Sequence, residues 1–79
     1  MIIVKYQQSG VKSVVNDDAS DADFVKLYDK WEAKEKEDDG LYVSWLDQMS
    51  FEVTHEDWAD GHIYRLRPAD WPIINGEPK

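Results

Sequence analysis

The hydrophobic period of this chain changes at Gly40, and that switch limits the fold more than any other feature. Before it, Phe24, Leu27, Tyr28 and Trp31 fall at i, i+3, i+4 and i+7, one apolar stripe along a helix. After it, apolar residues alternate with polar ones. Leu41, Val43 and Trp45 share one face of a strand, Phe51 and Val53 one face of the next, and Tyr64 and Leu66 one face of a third, opposed to Ile63, Arg65 and Arg67. A striped helix and half-apolar strands bury their apolar surface by stacking as layers. The expected fold is α+β, a single helix packed on an antiparallel sheet of about four to five strands.

The remaining elements follow from local signals. The β-branched runs 2–6 and 11–15 are separated by Q-Q-S-G, where Gly10 can adopt a positive φ, so a β-hairpin is predicted. Ser20 is a good N-cap with Asp23 three residues on, and the helix is expected over 21–38 with Gly40 at its C-cap and a Glu32–Lys36 pair on its surface. Strands at 41–46, 50–54 and 62–67 form a three-stranded meander, after which Pro68 ends the last strand. Residues 68–79 are expected as a tail docked by Trp71 and Ile73, or flexible, within a single domain covering 1–79. At 79 residues a core is barely sufficient, and four Trp, four Tyr and two Phe supply the area that makes it so.

Composition narrows the function. The chain has no Cys, which removes disulfides and thiolate metal sites and fits a reducing compartment. No apolar run is long enough for a signal peptide or a membrane span, so a cytoplasmic protein is expected. The net charge is −8, and it is uneven: residues 16–39 carry ten acids against four lysines, and residues 47–60 carry five acids and no base. Such a surface disfavours nucleic acids and anionic membranes and favours basic partners.

Both histidines lie in T-H-E-D-W-A-D-G-H-I-Y-R-L-R-P, residues 54–68. A His-Glu-x-x-His zinc helix would need a second His at position 59, which is Ala59, and Asp60-Gly61 is a turn signal. Nothing in the spacing of His55, Asp57 and His62 asks for a metal. A calcium loop beginning at Asp18 would put Ala22 at its fifth position and Asp23 where Gly is required. The four glycines stand apart, so there is no phosphate loop, and no serine lies in a nucleophile elbow. The sequence therefore points to no enzyme and no cofactor. As structure, the stretch reads as a turn that folds Trp58 back on the core, leaving Arg65 and Arg67 on the other face to pair with Glu52 or with helix acids.

The segment W-A-D-G-H-I-Y-R-L-R-P resembles the C-terminal signature of many small tailed-phage and prophage proteins, a Trp in a turn followed by a strand ending Tyr-Arg-(Ile/Leu)-(Lys/Arg)-Pro. The matching residues are Trp58, Tyr64, Arg65, Leu66, Arg67 and Pro68. The resemblance implies an accessory protein acting inside a bacterial cell, and it assigns no catalytic residue.

Two functional classes compete. In the first, the protein binds and inhibits or regulates a host protein with a basic surface, its carboxylates standing in for phosphates as in nucleic-acid mimicry and anti-defence. Asp29, Glu32, Glu35, Glu37, Asp38 and Asp39 would supply that surface, with Glu56, Asp57 and Asp60 as a second patch. In the second, Trp58 and Tyr64 wall a small-molecule or nucleotide site, with Arg65 and Arg67 as its cations, and the chain acts as a sequestering homo-oligomer. A structural or assembly part of a phage is a further alternative that no residue distinguishes.

Overall fold

A computed structural model of the chain describes residues 1–46 and 49–68, and places β1 at Ile2–Gln7, β2 at Lys12–Asn16, α1 at Asp21–Glu35, β3 at Leu41–Trp45, β4 at Ser50–His55 and β5 at His62–Arg67. One helix packs on a five-stranded sheet in the order β2-β1-β5-β4-β3, with every neighbouring pair antiparallel. The hairpin predicted from its β-branched runs and Gly10 and the meander predicted from the period of two are both present. The ladder joining them pairs β1 with β5 from Ile2↔Arg67 to Gln7↔His62. The expected docking of Trp71 and Ile73 lies outside the described residues.

The hairpin turn is closed by the Gly10 amide donating to the Gln7 carbonyl at 2.9 Å, with Gly10 at φ 97°. Only glycine adopts that φ without strain. Ser20 and Asp23 form a reciprocal capping box: the Asp23 amide donates to Ser20 Oγ at 3.2 Å, and the Ser20 amide donates to Asp23 Oδ2 at 2.9 Å. Those Ser20 hydrogen bonds hold the Asp23 carboxyl below its usual pKa.

The helix stops at Glu35 with Lys36 as its C-cap, three residues short of the predicted end, and Gly40 is not its cap. The apolar stripe ends at Trp31, so the acidic stretch after it has no packing to hold it helical. Gly40 has a different role. A Cβ there would meet Glu56 Cγ at 2.9 Å and His55 Cε1 at 3.1 Å, so the absence of a side chain lets the β4–β5 turn close on the end of the helix. The expected Glu32–Lys36 pair is replaced by a hydrogen bond from the Tyr28 hydroxyl to Glu32 Oε2 at 3.0 Å. That bond raises the Tyr28 pKa.

β2 and β3 are the two edges of the sheet, so α1 must carry the chain across its full width. Fifteen helical residues span about 22 Å, close to the ~19 Å across five strands. The helix lays Phe24, Leu27, Tyr28 and Trp31 on the face bearing Ile3, Leu41, Phe51, Val53, Tyr64 and Leu66. Phe24 and Phe51 are both 0 % exposed, with ring centroids 5.2 Å apart. A smaller cluster of Ile2, Val4, Tyr6 and Ile63 occupies the opposite face.

Candidate functional site: a tryptophan cleft beside an acidic surface

The site is assembled where the end of α1 meets the turn between β4 and β5. The pairing of β4 with β3 sets Leu41 opposite His55, and the Glu56 amide extends that ladder by donating to the Gly40 carbonyl at 3.1 Å. The turn then closes through the Trp58 amide, which donates to the His55 carbonyl at 2.9 Å. This folds the Trp58 indole inward between the two histidines. Its ring centroid lies 5.6 Å from His55 and 4.7 Å from His62, at interplanar angles of 28° and 23°. The spacing His-x2-Trp-x3-His thus encodes an imidazole–indole–imidazole stack. Trp31 meets Trp58 edge-on at 6.3 Å and 85°.

Both nitrogens of His55 are engaged. The Asp57 amide donates to Nδ1 at 3.0 Å, so Nδ1 is the acceptor and Nε2 carries the proton, which it donates to Asp38 Oδ2 at 3.1 Å. Asp38 also accepts from the Gly40 amide at 3.1 Å. The imidazole therefore ties the turn to the segment after the helix, across 17 residues of sequence. His55 and His62 each stack on the one indole. Among the described residues no group of three or more His, Asp or Glu is arranged to hold a metal.

His62 is in a different situation. Its Nδ1 is buried with no hydrogen-bond partner among the described residues, and burial lowers its pKa, with Lys5 adding to the shift and Asp60 opposing it. A folded-state pKa below the unfolded value means the unfolded chain binds the proton more readily. This contribution to stability is full above the unfolded pKa of about 6.5 and is lost as pH falls from there through the lower folded pKa. Melting temperatures compared at about pH 7.5 and about pH 5.5 should show a smaller acid-side loss for His62→Phe than for the wild type. An equal loss in both would place the pH dependence elsewhere.

Beside the stack lies an open cleft of about 450 Å³, walled by Trp31, Leu41, His55 and Trp58 and rimmed by Lys34, Glu37 and Asp38. The Lys34 ammonium sits over the Trp31 ring, 5.5 Å from its centroid. Sequence reasoning missed Trp31 as a cleft wall and Lys34 as its cover. Their i, i+3 spacing on one helix face was the available signal.

The predicted acidic residues divide into two kinds. Glu35 donates nothing to an open surface: its Oε2 accepts from the Val43 amide at 2.9 Å. Glu32 is tied to Tyr28 and Asp38 to His55. Glu37, Asp39, Glu56 and Asp57 are exposed and gathered around the same junction, whereas Asp29 is exposed further back along the helix and Asp60 is half-buried near His62. Acids just beyond a helix C-terminus oppose its dipole, so helix stability does not explain Glu37 and Asp39.

The alternative ligand set is split by the sheet. Trp58 and Tyr64 pack on the helix side, while the register places Arg65 and Arg67 on the face of Val4 and Ile2. Of the two pairings expected from sequence, the helix acids are therefore on the far side of the sheet, whereas the register leaves Glu52 on the face of the arginines. Arg67 Nε donates to the Tyr6 hydroxyl at 3.0 Å.

These features define the class: a small α+β domain with one helix crossing a five-stranded antiparallel sheet, and an acidic, aromatic-walled junction at one end. Comparison with protein-family models, curated proteins and solved structures gives no match to the chain. No helix among the described residues is long and apolar enough to cross a membrane.

Proposed function

We propose that this protein binds a basic surface on another protein and inhibits or regulates it, as an accessory protein of the phage type acting in the bacterial cytoplasm. The observation that carries this reading is the junction itself. Acids from two segments far apart in sequence, Glu37 and Asp39 after the helix and Glu56 and Asp57 in the β4–β5 turn, become one patch because His55 and Gly40 hold the segments together. Opposite charge at such a patch steers association and fixes orientation, and carboxylates on a rigid frame can occupy a surface that otherwise receives phosphates.

The test is capture from bacterial lysate with the tagged protein at about 50 mM and about 300 mM salt, a range over which screening of exposed charges deepens. A basic partner retained at low salt and lost at high salt is the expected result. Capture indifferent to salt, together with thermal stabilisation of the protein by nucleotides, would overturn the proposal in favour of small-molecule sequestration.

A further inference from the structure

Resting on that reading, we infer that the cleft between Trp31 and Trp58 receives a single arginine or lysine side chain of the partner, and that Lys34 occupies the position until it is displaced. Two indoles are among the walls, with Leu41 and His55, and the rim carries Glu37 and Asp38. An aromatic face with carboxylates at its edge attracts a cation and repels an anion, and it excludes the phosphate of a nucleotide from the same place. The chain itself supplies the demonstration: an ammonium, that of Lys34, sits over the Trp31 ring, 5.5 Å from its centroid. Trp58 already stacks with His55 and His62 and meets Trp31 edge-on, so Trp31 offers the face and Trp58 the side wall.

Lys34 is exposed and stands at the mouth of the cleft, free to swing away on its long side chain. A partner cation must compete with it, so Lys34 acts as a built-in competitor that lowers affinity and sharpens the requirement for a well-placed basic residue. Removing the competitor should therefore tighten binding. The charge lost in doing so would by itself also tighten binding of a cation, and Lys30, exposed on the same helix but absent from the cleft, supplies the control.

The experiment titrates wild type, Lys34→Gln and Lys30→Gln with an acetylated, amidated Gly-Arg repeat peptide at low salt, following heat and the indole N–H resonance of Trp31. Lys34→Gln should bind about two- to fivefold more tightly than Lys30→Gln, the range a surface cation–π contact supplies, and the Trp31 resonance should move on titration. Equal affinities for the two variants, with the Trp31 resonance unmoved, would overturn the cleft inference while leaving the acidic-surface reading intact. No binding of the peptide by the wild type would overturn both.

Discussion

Phe24→Ala should lower the unfolding free energy by about 3–5 kcal/mol, the largest loss expected from any single truncation on the helix. The ring is 0 % exposed and lies against both Phe51 and Trp45, at 5.2 and 5.8 Å between centroids. Helix and sheet meet there on both sides of the deletion, so the cavity cannot collapse without tilting α1 away from β3 and β4. A domain of this size has roughly 4–12 kcal/mol in total, and each kcal/mol corresponds to about 4–8 °C in Tm. The expected drop is therefore above about 12 °C, with the denaturant midpoint shifted and the slope unchanged. Val25→Ala, one residue on but on the exposed side of the helix, is the reference. Similar losses for the two substitutions would mean that the stripe faces another way.

The second large effect is on binding. Reversing Glu37, Asp39 and Asp57 to Lys adds two charges per site and takes the net charge from −8 to −2. All three side chains are exposed, and Asp57 is 83 % so. Folding should survive, because exposed charges of this kind contribute about 0.2–1 kcal/mol each at most. Affinity for the captured partner should fall about 10- to 1000-fold, chiefly through slower association, since steering depends on the local potential. Reversing Asp17, Asp18 and Asp21 instead changes net charge equally at the opposite end of the helix and should cost far less. Equal losses from the two triple variants would show that overall charge matters and the junction does not. Glu35 and Asp38 are unsuitable for this test because both carboxylates hold backbone amides.

Much of the fold was legible because its signals are local. The stripe from Phe24 to Trp31 requires only the helical repeat, and Gly10 and Ser20 mark a turn and a cap by their own chemistry. The helix end was misread because Gly40 looks like a cap in sequence, whereas its constraint comes from Glu56 and His55, residues brought near only by the β3–β4 ladder. The site was harder to read for the same reason. The acids were visible as composition, but which of them remain available depends on contacts such as Glu35 to Val43 that cross between elements. The two histidines resemble a ligand pair in sequence, but their actual role, stacking on Trp58, is one that no ligand spacing expresses.

The ladder between β1 and β5 has a consequence for how the chain reaches this structure. The N-terminal hairpin and the meander can each form from neighbouring sequence, but their union brings together residues as far apart as Ile2 and Arg67. Closing so long a loop carries an entropy cost that local hairpins avoid. The central seam of the finished sheet is thus expected to close last. Until it closes, the apolar edges of β1 and β5 are both open, and the speed of that one encounter sets how long the newly made chain is exposed to pairing with a neighbour instead of with itself.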